Sequence, residues 1–271
     1  MRLFGSHLRR LVRRPATLVT YLLLTGLILL IIVAVAAASQ QVADPQSSLA
    51  ARLILTFPSA WTLTLAMVVA VGGMLALTYG AAIAGAEWSW GTLKTAVARG
   101  ESRARYTLAA IAGATVLAWA GTLIAYAAGI VGALASAAAV HITSATLIDA
   151  QTAGDLAGQL ARTALAIAMD VSIVYAIATV ARSQLAGIGA GIGLYFGEGI
   201  IGIFVPQIVK WAPFAATSAM LGGGTTAVAG AASAASSARL DPDLAVVVVV
   251  AWLVLAAGFA AVWTERADIN G

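Results

Sequence analysis

Glu87-Trp88-Ser89-Trp90-Gly91-Thr92-Leu93-Lys94, running on to Arg99, Glu101, Arg103 and Arg105, is the densest charged stretch after the N-terminus. It lies between two long apolar runs. The flanking runs decide the fold class, because a chain this poor in charge is built for lipid rather than water. The stretch itself is where such a chain can be gripped by a soluble partner.

The chain has 271 residues, of which 61% are hydrophobic and 10% charged. A soluble domain carries roughly 25% charged residues, so the reading is an all-α polytopic membrane protein. There is no cysteine. That excludes a disulfide framework, a thiol nucleophile and a thiolate metal site. No serine, histidine and carboxylate cluster suggests hydrolysis, so no catalytic residue and no metal site is expected. Nothing resembles a nucleic-acid-binding module.

A spanning helix needs about 20 apolar residues. Six runs qualify: Ala16–Ala38, Ser59–Ala86, Tyr106 to about Ala135, Thr163–Ala181, Gln184–Val205 and Leu244–Trp263. The third admits two readings, one long span or a broken pair. One span is preferred, with Ser136–Ile148 leaving the membrane. The start of the chain imitates a cleaved signal peptide, with a basic head and Ala34-Val35-Ala36. Its apolar run of 23 residues exceeds the usual 7–15 of a signal core, so it is read as a retained span.

Basic residues set orientation. With the N-terminus inside, Arg2, Arg9, Arg10, Arg13, Arg14, Lys94, Arg99, Arg103, Arg105, Arg182 and Arg266 fall on the inner side, and Arg52, Arg162, Lys210 and Arg239 on the outer. That bias predicts a multi-pass protein of the plasma (inner) membrane with both termini cytoplasmic. Trp88, Trp90 and Trp263 then fall at inner interfaces, Trp61 and Trp211 at outer ones, as aromatic belts require.

Residues 1–15 read as an N-terminal interfacial amphipathic helix. Phe4, Leu8, Leu11 and Val12 recur at helical spacing, with Arg9, Arg10, Arg13 and Arg14 mostly off that face. Such a helix lies among lipid headgroups, and membrane lipid is an expected partner. A plain topogenic basic cluster explains the same residues. Pro15 suits the first turn of the following span.

In the segment 87–105, Gly91-Thr92 interrupts the second span. Leu93, Ala96 and Val97 are expected on the apolar side of a short helix lying along the membrane and ending near Gly100. The plain alternative is a solvated basic turn. The order Glu87, then Gly91-Thr92-Leu93, then Lys94, Arg99, Arg103 and Arg105 resembles the permease subunits of the type-2 class of ATP-binding-cassette (ABC) exporters. There a Glu near the inner end of the second span precedes Gly-Thr-Leu and a basic stretch. The Trp-Ser-Trp insertion is not part of that pattern.

The resemblance implies a single permease domain over 1–271 that pairs with a second copy or a homologous half. Two cytoplasmic ABC ATPase subunits would bind it, carrying the ATP and Mg. Segment 87–105 would be the coupling segment, with the Arg182 turn as a smaller second contact. The implied activity is export of a hydrophobic or amphipathic compound, such as a drug, antibiotic, lipid or peptide. The chain has no Gly-x-x-x-x-Gly-Lys-Ser/Thr phosphate loop. Gly222-Gly223-Gly224 lacks the lysine. The chain is therefore not expected to be an enzyme or to hold a cofactor itself.

Asp170 and Glu198 lie inside the fourth and fifth spans. A carboxylate at mid-bilayer costs about 2.5–3.5 kcal/mol for Asp, so each is expected to face a bundle interior or wet cavity. At 1.5 Å per residue they lie about 18 and 24 Å from the Arg182 turn. They are candidates for lining a pathway or binding a cation. Satisfaction by Ser172, Tyr175, Tyr195 or a backbone carbonyl is the plainer reading. The fifth span is glycine-rich, and Gly187/Gly191 and Gly189/Gly193 form small-xxx-small pairs that let helices approach closely. Residues 206–243 form an outer segment before the last span, either short re-entrant helices or an ordinary loop. Two other functions remain open on sequence: an ion-coupled secondary transporter using Asp170 and Glu198, and a non-transporting scaffold or sensor.

Overall fold

The computed structural model describes residues 2–41, 52–144, 146–222 and 239–267. All regular structure among them is helical. The elements are α1 (Arg2–Val12), α2 (Pro15–Gln41), α3 (Ser59–Ser89), α4 (Thr92–Ala98), α5 (Arg103–Ala139), α6 (Ala150–Ala181), α7 (Gln184–Phe204), α8 (Pro206–Val209), α9 (Pro213–Met220) and α10 (Pro242–Arg266). Six of these, α2, α3, α5, α6, α7 and α10, are long and apolar enough to cross a membrane. Only helices and closed barrels keep every backbone group paired in lipid, and the apolar runs are helical throughout.

The third apolar run is one helix of 37 residues, not a broken pair. It is about 55 Å long at 1.5 Å per residue, longer than a hydrocarbon core of about 30 Å, so its ends project beyond that layer. It also carries Ser136–Ala139, which the sequence had placed outside the span. The fourth run, Thr163–Ala181, is the apolar part of a longer helix. α6 begins at Ala150, capped by Asp149, whose Oδ1 accepts a hydrogen bond from the Thr152 amide at 2.7 Å. Hydropathy misses this extension because Gln151, Asp155, Gln159 and Arg162 dilute it. Leu156 is nonetheless buried, and Leu160 packs beside it against the cluster around Ile28 and Ile32.

The long helices run up and down between two ends. At one end α1, α4, the start of α5 and the end of α10 come together. There Arg103 Nη1 donates to the carbonyls of Glu265 (3.2 Å) and Ala267 (2.9 Å). The Glu265 carboxylate accepts from Ser102 Oγ (3.2 Å) and the Ala104 amide (3.3 Å). The start of α5 and the end of α10 therefore cap one another. At the opposite end Trp61 Nε1 donates to the Leu147 carbonyl at 2.8 Å, and Trp252 Nε1 to the Trp211 carbonyl at 2.9 Å.

α3 and α6 are the inner pair. The main core joins them to α5, α9 and α10 through residues such as Leu77, Ile83, Met169, Val174 and Met220. α2 covers α3 and α5 with Leu24, Ile28 and Ile32. α7 is the most peripheral, and Leu185, Ile200, Ile203 and Phe204 are exposed on it. Close approach decides one join: a Cβ on Gly85 would fall 2.5 Å from the Gln184 amide nitrogen, so only glycine lets α3 pass the start of α7. Within the outer segment α8 and α9 are short helices, and α9 buries Phe214, Thr217 and Met220. Residues 223–238 of that segment lie outside the described residues.

Candidate functional site at the basic end

Glu87, at the end of α3, is 2% exposed. Its carboxylate is surrounded. Oε1 accepts from Arg10 Nη2 at 2.8 Å and from Arg14 Nη2 at 3.2 Å. Oε2 accepts from the hydroxyls of Tyr106 and Thr92. Two cations and two hydroxyls thus converge on one buried acid, drawn from α1, α4 and α5. Such charge-assisted bonds are stronger than neutral ones and become costly when one partner is lost.

α1 reaches this acid because it has three faces. His7, Leu11 and Arg14 are buried against the bundle. Phe4 and Val12 are exposed on a second face. Arg9 and Arg13 are exposed on a third. The expected apolar face is therefore split: Leu11 turns inward, while Phe4 and Val12 turn outward. Leu11 packs close to Gly113 of α5. Arg10 Nη2 also reaches the Tyr106 hydroxyl at 2.9 Å and His7 Nδ1 at 3.2 Å. As arginine can only donate, His7 Nδ1 is the acceptor and its other nitrogen carries the proton. Burial, with Arg10 next to it, lowers the His7 pKa from 6.5 to about 4.

Beyond Glu87 the backbone turns at Gly91, with φ at +62°, a left-handed conformation that glycine adopts without a Cβ penalty. α4 follows. Leu93 is buried against Tyr106, with Trp88, Ala96 and Val97 packed around them. This is the short helix with an apolar side that the sequence predicts, and it ends at Ala98, shortly before Gly100, which is again at positive φ. Its other side carries Lys94, Thr95, Ala98 and Arg99 in exposed positions. Trp90 is 66% exposed, with Arg14 stacked 4.9 Å from its ring centroid. Arg182, in the turn between α6 and α7, stacks at 4.9 Å over Trp88, so the two expected contact regions adjoin. An open cleft of about 540 Å³ separates α1 from α4, lined by His7, Arg10, Thr95, Arg99, Glu101 and Tyr106.

The sequence-selected residues thus divide. Lys94, Arg99 and Arg105 are exposed. Glu87 and Leu93 are buried, and Arg103 is committed to the end of α10. Glu87 holds α1, α3, α4 and α5 together and is out of a partner's reach. That Arg10, Arg14 and Tyr106 would be its partners escaped the sequence reading. The available signal was the spacing of Arg10 and Arg14, four residues apart at the end of α1 and just beyond it.

The two acids inside spans differ. Glu198 Oε2 accepts from the amides of Phe214 and Ala215, both at 3.0 Å, so it caps the N-terminus of α9. Backbone amides, not the side chains or carbonyls considered from sequence, satisfy it. Asp170 is 5% exposed, and its Oδ1 is buried without a hydrogen-bond partner among the described residues. The glycines also divide. A Cβ on Gly187 would fall 2.6 Å from the Ala178 Cβ, and one on Gly191 2.5 Å from a Val174 methyl. These two let α7 sit on α3 and α6. Gly189, Gly193 and Gly197 face open space.

No family model matches this chain, and no curated protein matches it.

Proposed function

We propose that the chain is the permease subunit of a type-2 ABC exporter, coupled to two separate cytoplasmic ATPase subunits that carry the ATP and Mg. The observation that carries this reading is α4: a short helix set off by a sharp turn, exposing Trp90, Lys94 and Arg99 while its root is tied through Glu87 to α1, α3 and α5. A push on α4 from a soluble protein would reach α1 and two long helices, α3 and α5, through buried charge-assisted bonds. Coupling of this kind needs contiguous packed and hydrogen-bonded groups.

In this reading the basic end faces the cytoplasm at the plasma (inner) membrane, with α1 among lipid headgroups. A second copy or homologous half packs against the open Gly189-Gly193-Gly197 face of α7, where small residues admit close helix approach. The cargo is a hydrophobic or amphipathic compound moved outward. The cleft between α1 and α4 offers the ATPase a place to insert a side chain.

Copurification with candidate ABC ATPase subunits from the same cell is the test. Paired Lys94→Glu and Arg99→Glu substitutions lie on exposed positions, so thermal unfolding should be unchanged, within about 0.5 kcal/mol. ATPase recovery and nucleotide-driven transport in liposomes should fall together. Transport by the purified chain without any nucleotide would overturn the reading.

A further inference from the structure

Asp170 stands at the middle of α6 beside a cavity of about 30 Å³. The cavity is walled by Gly72 and Gly73 of α3, Thr122 of α5, Tyr195 of α7 and Thr217 of α9. Gly73 matters to its shape: a Cβ there would sit 3.6 Å from Asp170 Oδ2, filling the space in front of the carboxylate. Among the described residues no lysine, arginine or histidine lines the cavity. Glu198 is engaged elsewhere, by the α9 amides.

The two threonines here accept rather than donate, and the Tyr195 hydroxyl can do either. Thr122 Oγ1 gives its hydrogen to the Ala118 carbonyl at 2.9 Å, and Thr217 Oγ1 can give its own to the Pro213 carbonyl at 3.0 Å. Each hydroxyl oxygen keeps lone pairs for another group. Asp170 Oδ1 adds a buried, unpartnered acceptor. A buried carboxylate without a counter-charge is among the costliest arrangements in a protein.

Size separates the occupants. A drug-sized ligand needs roughly 300–1,000 Å³, so cargo does not fit. A water needs about 10–15 Å³, so the cavity takes about two water-sized bodies. A proton would cancel the charge but leave both the space and the hydroxyl lone pairs unused. A small cation with one water uses all three. We propose that this cavity binds one monovalent cation of sodium size, with the Asp170 carboxylate as its charge partner and the Thr122 and Thr217 hydroxyls as neutral ligands. The ion then joins α5, α6 and α9 at one point. Binding of this kind requires no ATPase and no cargo.

Thermal unfolding of the purified full chain in detergent tests it, with N-methylglucamine chloride exchanged for sodium chloride at fixed ionic strength and pH. The wild-type midpoint should rise with the logarithm of the sodium concentration once this exceeds the Kd, by about 3 °C at roughly tenfold over it. Asp170→Asn should lose the response, and Glu198→Gln should keep it. Thr217→Val should respond only at several-fold higher sodium, and it decides the matter if Asp170→Asn does not fold. Equal wild-type midpoints in the two salts overturn the proposal. So does a sodium response that survives in Asp170→Asn or is unshifted in Thr217→Val. A midpoint that follows pH and ignores sodium identifies a protonated carboxyl, and likewise overturns it. Because the measurement includes neither ATPase nor transport, its failure leaves the proposed function untouched.

Discussion

Arg14 and Glu87, 73 residues apart, meet at 3.2 Å with both side chains buried. The contact joins the first helix to the end of the second span, and Arg10 reinforces it at 2.8 Å from a more exposed position. It makes α1 a fixed part of the bundle, docked by charge as well as by Leu11.

Removing the acid strands Arg14. Glu87→Gln should destabilise the docked α1 by about 3–5 kcal/mol, the usual cost of leaving a buried charge unpaired. Limited proteolysis at the arginines of α1 reads this directly, since an undocked helix is cut faster. Combining Glu87→Gln with Arg14→Met should cost less than the two single changes added together. Strict additivity would mean that the two side chains do not depend on each other.

His7 makes this docking acid-sensitive. Its pKa is about 4 in the fold, against 6.5 for the free group. A base with a lowered folded pKa is protonated first in the undocked state. The stability it protects is therefore complete above pH 6.5, declines as the pH falls below that, and is gone by about pH 4. At 1.36 kcal/mol per unit the full loss is about 3 kcal/mol. Proteolysis of α1 should accelerate over this window in the wild type and not in His7→Gln.

The glycines of α7 should behave as two sets. Gly191→Val places a side chain where even a Cβ lies 2.5 Å from Val174, and overpacking of this kind costs about 1–3 kcal/mol. Gly189→Val and Gly193→Val meet nothing and should leave the unfolding midpoint of the monomer in place. If α7 is where two copies meet, the same two variants should weaken self-association, measured by sedimentation in detergent. Unchanged association would place the partner half elsewhere.

Glu198 is read as a cap. Glu198→Ala removes the acceptor for the Phe214 and Ala215 amides and should cost about 0.5–2 kcal/mol, the range for a lost helix cap. Hydrogen exchange at those amides should quicken, with α6 little changed. Protection equal to wild type would mean that α9 holds its place without the acid.

The spans were legible in the sequence because hydrophobicity is a local property. Twenty apolar residues in a row must pair their backbone within themselves, whatever lies beside them. The break at Gly91 and the short helix after it were legible for the same reason, since backbone conformation and a one-sided apolar pattern are set within a few residues. Even there, hydropathy lost the first turns of α6, where Gln151, Asp155 and Arg162 mask a helix that Leu156 anchors.

Which side of each helix faces inward was not legible. Glu87 looks like a surface charge at a span end, and only the arrival of Arg10, Arg14 and Tyr106 from distant positions buries it. Gly187 and Gly189 are equivalent in sequence, and the packing of Ala178 and Ala81 makes one indispensable and the other idle. Asp170 and Glu198 are both single acids within apolar runs. Glu198 lies where the amides of α9 reach it, while Asp170 faces a cavity walled by four other helices. The sequence alone determined how many spans form and where they break. Their pairing, and with it the environment of every buried charge, was decided by tertiary structure, because these contacts join residues tens of positions apart that no local pattern relates.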